Sequence, residues 1–481
     1  MDFYIFLGKR KARFAFLMTL ALFGVLLNIY CSKEKKPSAL LKQLVAQSKP
    51  TNVKVLLVGI DGQTFDVMDP MIKEGKLPHM KKLIRNGSYG ILKSYDPMKS
   101  PSIWTTIVTG RRRGVHGILD FYSRSNQNRN KKVLITSNDR QISAIWNWVG
   151  LFGKTVGFAG WWASWPAETV NGWIISDRIT RSRFNEWTGG RKYQALTYPP
   201  ELMEEFWPMI VDPSEPPLEE IHEMVQFTED ELNEFHAASM PIFSHGLSVF
   251  KFAYCSQLSY EKMVLHMLNK EQPDLTGVYL IANDPICHTF WHYYEPDKFE
   301  NVDPEKANRL GKLIPSFYEH NDRYLAQLLD KVDSKTVVMV VSDHGFQASG
   351  VVPEQVSAEE FEGLKKEAIK KETVTVGQAG IHHLNGVLIA WGRPIKKGFK
   401  IQNASVFDIT PTILALMGLP VPEDMDGRVL TEIFDPLFQK NHPIQTCSSF
   451  KNYFDRQKIE VSTDIDEKEI LDKLRALGYI E

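Results

Sequence analysis

Apolar, mostly β-branched runs recur along the chain, and two of them lead directly into acidic and histidine residues. Val53–Ile60 is followed by Asp61, and 336–342 is followed by Asp343 and His344. Runs of this length and composition predict buried strands. In open parallel sheets, ligands bind beyond the carboxyl ends of the strands. The two phrases therefore predict a metal site that is assembled from distant parts of the sequence.

The alternation of strand-like and helical segments predicts an α/β fold. Further strand-like runs lie at 155–158, 276–282 and 386–391, and helical patterns such as 314–329 separate them. This order is typical of a mostly parallel, doubly wound sheet with helices on both faces. The acidic, largely helical stretch 180–270 interrupts the pattern, and we interpret it as a cap inserted into the sheet domain.

The first 30 residues are predicted to be a signal peptide or a membrane anchor. Basic residues precede the apolar stretch Phe14–Leu27, and Cys31 follows in a polar, lysine-rich tract. This order is typical of a secretory signal, and the cysteine resembles the lipidation site of bacterial lipoproteins. Whether Cys31 is lipidated or the anchor stays uncleaved, we expect a tether over 31–52 that holds the protein to the membrane of the cell envelope, outside the cytoplasm.

The composition is that of an ordinary globular protein and gives no reason to expect a nucleic acid polymer as partner. The chain has 481 residues, 43% of them hydrophobic and 24% charged, with a formal net charge of −1. A nucleic-acid-binding domain usually carries a clear basic excess. We expect one sheet domain over 53–435 and a C-terminal tail over 436–481. The three remaining cysteines are too dispersed for a disulfide framework.

Two further motifs supply a candidate ligand pair and a candidate nucleophile. Asp284 and His288 lie four positions apart, and Pro285 suits the first position of a helix, so both side chains would share one helix face. Ser100 before Pro101 is interpreted as a helix N-cap, in an environment that favours phosphate. A metal or a base would be needed to make its hydroxyl nucleophilic. From these residues alone, simple capping and packing roles stay open.

A histidine pair, His382 and His383, precedes the strand-like run that begins at Gly386. Alone, such a pair is compatible with a metal site and with an ordinary polar loop. Together with the carboxylates it gains weight, because histidine and carboxylate ligands suit zinc or manganese better than magnesium or calcium.

In their order along the chain, these phrases resemble the alkaline phosphatase superfamily, in particular its type I phosphodiesterase/nucleotide pyrophosphatase branch. The matching set is Val-Gly-Ile-Asp-Gly at 58–62, Ser-Pro-Ser-Ile-Trp-Thr-Thr-Ile-Val-Thr-Gly at 100–110, His-Gly-Ile at 116–118, Asn-Asp-x-x-x-His at 283–288, Val-Ser-Asp-His-Gly at 341–345, and His382 before a Gly-x-Leu-Ile strand. The likeness extends from about residue 53 to about residue 427 and leaves the cap unmatched. It implies an alkaline-phosphatase-like fold.

The resemblance also implies a pair of divalent metal ions, usually zinc, with manganese as the other candidate. Such ions lie about 4 Å apart in two-metal hydrolases. Carried over residue by residue, the family pattern assigns one ion to Asp61, Asp343 and His344 with Ser100 bridging toward it, and the other ion to Asp284, His288 and His382.

Ser100 falls on the family's nucleophile position, ten residues before Gly110, and Ser102 is the alternative if the register is shifted. His382 is preferred to His383 because of its spacing to Gly386. The implied reaction is in-line attack of the serine alkoxide on phosphorus, followed by hydrolysis of a phosphoserine intermediate.

The function that the resemblance implies is that of a metal-dependent phosphoric ester hydrolase, most similar to phosphodiesterases and nucleotide pyrophosphatases. The alternatives are a phosphomonoesterase, an envelope phosphotransferase and a non-catalytic surface-binding lipoprotein. The expected partners are a phosphate-ester substrate, either a small molecule or one linked to a lipid or glycan, and the membrane at the N-terminus. A sulfatase is disfavoured because Ser100 does not begin the Cys/Ser-x-Pro-x-Arg motif of those enzymes.

Overall fold

The structure is a computed structural model, and it describes residues 38–124, 132–180, 194–237, 246–350, 378–453 and 458–461. The predicted targeting segment 1–30, the start of the tether and most of the C-terminal tail lie outside the described residues. Among the described residues, no helix combines the length and the apolar character that a membrane span requires. The chain divides into two units, residues 1–46 and 47–481.

A ten-stranded sheet forms the centre of the second unit. Numbered along the chain, its strands are β1 (Lys54–Ile60), β2 (Gly87–Lys93), β5 (Val156–Ala159), β6 (Gly172–Ile175), β7 (Thr197–Tyr198), β8 (Leu275–Leu280), β9 (Thr336–Val341), β12 (Asn385–Trp391), β13 (Phe399–Lys400) and β14 (Ala404–Ser405). Three small two-stranded sheets pair β3 (Tyr122–Arg124) with β4 (Lys132–Leu134), β10 (Gly345–Ala348) with β11 (Gly380–His383), and β15 (Val421–Pro422) with β16 (Thr446–Cys447).

The central strands β9, β1, β8, β5 and β6 run parallel to one another, which confirms the predicted mostly parallel sheet. Next to β9, strand β12 is antiparallel to both of its neighbours, β9 and β2. In β1, Ile60 lies opposite Leu280 of β8, and Gly59 lies opposite Val341 of β9. Three strands therefore end at the same edge, and the residues that follow them meet there.

Helices flank this sheet, as expected for the fold class. Helix α1 (Ala39–Gln47) belongs almost entirely to the first unit. The helices of the second unit are, in chain order, α2 (Phe65–Glu74), α3 (Pro78–Asn86), α4 (Ser100–Thr109), α5 (Arg113–His116), α6 (Ile145–Leu151), α7 (Leu202–Phe206), α8 (Leu218–Met224), α9 (Glu229–Ala237), α10 (Gly246–Lys270), α11 (Asn283–Tyr294), α12 (Pro304–Leu310), α13 (Leu313–Leu329), α14 (Ile409–Leu416) and α15 (Pro436–Asn441). The described part of 180–270 is largely helical and contains α7 to α10.

Two glycines explain the Val-Gly-Ile-Asp-Gly phrase physically. A Cβ atom on Gly59 would lie 2.6 Å from the ring of Trp104, so the strand can pack this close to α4 only with glycine here. Gly62 has a φ of +67°, in the region that favours glycine, and a Cβ there would lie 2.3 Å from Phe346. The motif therefore combines a close approach of α4 before Asp61 with a tight turn after it, and both features help to fix the position of Asp61.

The start of the predicted C-terminal tail packs against other parts of the second unit. Strand β16 pairs with β15, with Thr446 opposite Val421. The ring of Phe450 stacks obliquely on Trp148 with 4.1 Å between ring centroids. Phe450 and Cys447 are buried, so the described start of the segment 436–481 contributes to the packing of the second unit.

Candidate metal centre and nucleophile

Three aspartates and three histidines converge beyond the carboxyl edge of the sheet. Asp61 directly follows β1, and Asp343 and His344 follow β9; Asp284 and His288 lie on the first turns of α11, and His382 lies in β11. All of these side chains are buried except that of His382, which is 17% exposed. The structure therefore brings together all six ligands that the sequence predicted.

The first group is centred on His344. Its Nε2 atom lies 3.3 Å from Oδ1 of Asp61, 3.4 Å from Oδ2 of Asp343 and 3.6 Å from Oδ1 of Asp284. One ligand atom each of Asp61, Asp284 and His344 lie within 4.8 Å of one another, a spacing that suits a single ion. Asp343 joins this group through its 3.4 Å contact with His344, so Asp284 faces the predicted first ligand set as well as its own.

The second group consists of Asp284, His288 and His382. Nε2 of His382 lies 3.1 Å from Oδ1 of Asp284 and 2.8 Å from Nε2 of His288, and the latter atom lies 3.4 Å from the same oxygen. Asp284 and His288 share one helix face, as their spacing predicted. The helix begins two residues earlier than expected, however, at Asn283, so Asp284 is not its cap.

The three imidazole rings are oriented by their Nδ1 atoms. Each Nδ1 lies within hydrogen-bond distance of a backbone carbonyl oxygen, that of Gly380 for His288 at 2.7 Å, Gly345 for His344 at 3.1 Å and Met98 for His382 at 3.3 Å. A carbonyl can only accept, so in the neutral ring the proton belongs on Nδ1. The lone pair of every Nε2 then faces the carboxylates, as in histidines that bind metals.

Burial makes this cluster unfavourable without cations. It lowers the pKa of His288 and of His382, which keeps both rings neutral near pH 7. Burial and the nearby charge of Asp61 raise the pKa of Asp343 well above its ordinary value. A divalent cation would neutralise these crowded carboxylates.

Several ligand-type atoms of the site have no hydrogen-bond partner among the described residues, although all are buried. They are Oδ1 of Asp61, Oδ2 of Asp284, Oδ2 of Asp343, Nε2 of His344 and Oγ of Ser100. Buried polar atoms in folded proteins are almost always hydrogen-bonded. Their concentration at one place fits metal ions, for which carboxylate oxygens and imidazole nitrogens are suitable ligands.

Ser100 differs in one detail from its prediction as a helix cap. It is the first residue of α4, and Lys99 precedes it at the N-cap position, without a side-chain hydrogen bond to the helix. The Ser100 side chain is fully buried, and its Oγ has no hydrogen-bond partner in the described part of the chain. The capping role is therefore wrong, and the hydroxyl is left for another function.

Contacts on both sides of Ser100 attach its segment to the cluster. One turn later on the same helix face, Nε1 of Trp104 donates to Oδ2 of Asp61 at 3.3 Å. Two residues earlier, the carbonyl of Met98 accepts from His382. Ser102, the alternative nucleophile, instead shares a hydrogen bond of 3.0 Å with the hydroxyl of Tyr95. The geometry favours Ser100.

His382 and His383 are separated by their strand. Side chains of adjacent strand residues point to opposite faces, and β11 turns His382 toward Asp284. Nδ1 of His383 accepts a hydrogen bond of 3.3 Å from the backbone N–H of Asn385. Both candidate ligand groups that the described residues form around Asp284 leave His383 out.

Sequence reasoning missed three side chains that support the ligands. The hydroxyl of Tyr279 donates a hydrogen bond to Oδ2 of Asp61, and Nδ2 of Asn283 donates a hydrogen bond of 3.2 Å to the backbone carbonyl of Asp61. Phe346 packs edge-on against His288, His344 and His382. The one available signal was Tyr279, a hydroxylated aromatic residue in an otherwise aliphatic strand end.

A comparison with known protein families assigns the chain. The model of the family "type I phosphodiesterase / nucleotide pyrophosphatase" matches residues 55–390, most of the chain. The chain belongs to this family. The matched part of the chain includes every residue of the candidate centre, from Asp61 to His382.

Curated relatives match over shorter stretches. The chain is 25% identical over 145 residues to GPI ethanolamine phosphate transferase 2 of Kluyveromyces lactis, a match that covers 30% of this chain and 18% of that protein. It is 27% identical over 212 residues to the 2,3-bisphosphoglycerate-independent phosphoglycerate mutase of Cereibacter sphaeroides, which covers 39% and 37%. The chain thus spans well under two thirds of the length of these relatives.

Two of the solved structures with a similar fold illustrate the likeness. One is murine ectonucleotide pyrophosphatase/phosphodiesterase 5, an inactive variant in complex with AMP, with 15% identity, coverage of 80% of this chain and 100% of that one, and a TM-score of 0.46. The other is alkaline phosphatase PafA, with 13% identity, coverage of 80% and 99%, and a TM-score of 0.49.

Proposed function

We propose that this protein hydrolyses phosphoric esters with the help of two divalent metal ions and with Ser100 as the nucleophile. The observation that carries the proposal is the cluster of buried, unpartnered ligand atoms beside an unpartnered serine hydroxyl. Membership in the phosphodiesterase family supports the same reaction class. Phosphodiesters and nucleotide pyrophosphates are the substrates we favour.

Each ion would have its own ligands on this chain. Asp61, Asp343 and His344 would hold one ion next to Ser100, and Asp284, His288 and His382 would hold the other; the 3.6 Å contact between Asp284 and His344 joins the two groups. Bound zinc or manganese would supply positive charge that favours the serine alkoxide and stabilises the phosphoryl oxygens and the leaving group.

The residues of the chain then perform the transfer. Ser100 Oγ gives up its proton and forms a bond to phosphorus while the bond to the leaving alcohol or phosphate breaks in line with it, and the departing oxygen takes up a proton. The product is a phosphoserine, which keeps the second ester group when the substrate is a diester. Water then attacks phosphorus opposite Oγ, the bond from Oγ to phosphorus breaks, and Oγ regains a proton. The N-terminal end of α4, where Ser100 lies, adds the positive end of the helix dipole to the phosphoryl site.

Metal-dependent ester cleavage tests the proposal. Purified protein is stripped of metal with EDTA and assayed on bis(p-nitrophenyl) phosphate and on p-nitrophenyl phosphate, with and without zinc or manganese. We expect turnover of the diester upon addition of metal and its loss in Asp343→Asn. Absence of metal-dependent turnover of both esters would contradict the hydrolase and favour the scaffold alternative.

The same assay separates hydrolysis from group transfer. A transferase would pass the phosphoryl group of the serine ester to an alcohol in place of water, the kind of reaction named by one relative, GPI ethanolamine phosphate transferase 2. With glycerol present, a hydrolase still yields p-nitrophenyl phosphate or phosphate as its main product. A predominant glycerol ester would instead support the phosphotransferase alternative.

We also propose that the protein acts outside the cytoplasm, attached to the membrane of the cell envelope. The support is the order of basic residues, apolar stretch and Cys31 at the N-terminus, which lies outside the described residues. If Cys31 is lipidated, Cys31→Ser moves the protein from the membrane fraction to the soluble fraction. If the variant stays in the membrane fraction, an uncleaved anchor holds it.

A further inference from the structure

The two carboxylate oxygens of Asp61 have different surroundings. Oδ2 accepts hydrogen bonds from Nε1 of Trp104, at 3.3 Å, and from the hydroxyl of Tyr279. Oδ1 has no hydrogen-bond partner among the described residues and lies 3.3 Å from Nε2 of His344. One oxygen is thus fixed by the protein, and the other faces the candidate metal position.

A second layer of hydrogen bonds holds both donors in place. Nε1 of Trp162 donates to the hydroxyl oxygen of Tyr279 at 2.8 Å, so the single phenolic proton is directed to Asp61, which as a carboxylate can only accept. Nε1 of Trp161 donates to the backbone carbonyl of Trp104 at 3.0 Å. The hydrogen bond from Trp162 thus leads through Tyr279 to the Asp61 carboxylate, and the one from Trp161 fixes the backbone of Trp104.

The rings themselves are packed as a unit. Trp104 contacts Trp161 and Tyr279 edge-to-face, with centroid distances of 5.1 and 4.9 Å, and all three side chains are at most 2% exposed. Edge-to-face pairs of this kind fix ring orientation. The donors therefore have little freedom to follow a rotation of the Asp61 carboxylate, and they restrict that rotation instead.

We propose that Tyr279 and Trp104 are positioning residues that turn Oδ2 of Asp61 away from the metal, so that Asp61 binds its ion through Oδ1 alone. This inference rests on the proposed two-metal function. An unrestrained carboxylate can rotate and bind through either oxygen or through both, which changes the coordination number. Hydrogen-bonded partners of metal ligands typically contribute 10- to 100-fold to metal affinity.

A plain packing role makes a different prediction. If the aromatic cluster only fills the core, Tyr279→Phe keeps the ring and its contacts, and metal binding stays unchanged. If Tyr279 positions Asp61, the same variant loses the hydrogen bond to Oδ2 and metal binding weakens at one of the two sites. The variant therefore separates the two roles without removing the ring.

Metal affinity of the full chain is the readout. Metal-stripped wild type, Tyr279→Phe and Asp61→Asn are titrated with zinc against a competing chelator, and thermal unfolding of each metal-free protein is recorded. We expect two zinc ions in wild type and a 10- to 100-fold weaker affinity in Tyr279→Phe for the ion that Asp61→Asn also weakens. The other affinity stays the same.

Tyr324→Phe is the matched control, because Tyr324 is equally buried and its hydroxyl has no partner among the described residues. We expect both zinc affinities of this variant to equal those of wild type. Should Tyr279→Phe not fold, Trp162→Phe removes the donor to the Tyr279 hydroxyl, and we expect a several-fold loss at the same site.

Three outcomes would overturn the inference. In the first, wild type binds two zinc ions and the folded Tyr279→Phe variant, or Trp162→Phe if that one is used, has unchanged affinities. This result refutes the positioning role and leaves the proposed function intact. Equal weakening by Tyr279→Phe and Tyr324→Phe shows a general packing effect. A wild-type chain that binds no zinc refutes both the positioning role and the proposed metal centre.

Discussion

Replacement of Ser100 by alanine should have opposite effects on stability and on function. The hydroxyl of Ser100 is fully buried and has no hydrogen-bond partner among the described residues. In the metal-free protein it therefore costs free energy without a compensating bond. Ser102, two positions later and equally buried, shares a hydrogen bond of 3.0 Å with Tyr95 and is the matched control.

The magnitudes follow from these environments. An unsatisfied buried hydroxyl costs about 1–3 kcal/mol, and alanine favours the helix by up to ~0.5 kcal/mol over serine. Metal-free Ser100→Ala should therefore be more stable than wild type by ~1–3 kcal/mol. With an unfolding entropy of about 2 cal/mol/K per residue and roughly 400 folded residues, its melting temperature rises by ~1–4 °C. Ser102→Ala should instead lose about 1 kcal/mol.

Differential scanning calorimetry and phosphoenzyme trapping together test this reasoning. In EDTA, we expect Ser100→Ala to melt above wild type and Ser102→Ala below it. With zinc the advantage of Ser100→Ala should shrink or reverse, because wild type gains a ligand that the variant lacks. Acid quenching with a phosphorus-labelled diester should give labelled protein from wild type and Ser102→Ala but not from Ser100→Ala. Labelling of the Ser100→Ala protein, or a melting temperature below that of wild type in EDTA, would refute the assignment.

Three further results are expected. Saturation of two zinc sites at about 1,000 times their Kd adds about 4 kcal/mol per site, so the melting temperature should rise by ~10 °C and fall again with EDTA. His382→Ala should lose one zinc ion in a chelator titration, whereas His383→Ala should keep both, and equal losses would contradict the assignment. Burial lowers the pKa of His116 to about 3. Between pH 6.5 and about pH 3, the unfolded chain therefore binds a proton at this histidine that the folded chain does not. In this range the free energy of unfolding decreases by about 1.4 kcal/mol for each unit by which the pH falls. Urea unfolding at pH 7.5 and 5 should show a smaller loss for His116→Asn than for wild type.

The parts of the fold and site that the sequence predicted are those with a local sequence signal, either a long apolar run or a fixed helical spacing. The strands β1, β8 and β9 are fully or almost fully buried, so their apolar runs are long enough to recognise without a partner strand. Asp61, Asp343 and His344 were found because they directly follow such runs. Asp284 and His288 were found because spacing of four residues has a fixed meaning on a helix.

The missed features depend on tertiary structure. β2 alternates buried and exposed residues in part and pairs antiparallel with β12. The alternation covers too few residues to be recognised from the sequence, and the direction of pairing is set by the partner strand. The two-residue strand β16 has no periodicity at all and exists because β15 lies beside it. The contact of Tyr279 with Asp61 likewise arises from the register of two strands, in which Gly59 lies opposite Tyr279.

The arrangement also explains why these carboxylates stay together although no ion pair with a lysine or arginine neutralises them among the described residues. Asp61 and Asp343 are set by adjacent parallel strands, β1 and β9, whose ladder and buried residues extend far beyond the site. Because the ladder fixes both strand ends, repulsion between the two carboxylates cannot separate them. Burial, together with this repulsion, therefore raises the pKa of Asp343. A divalent ion at the proposed centre would gain the attraction of preassembled ligands, since the fold already opposes their repulsion.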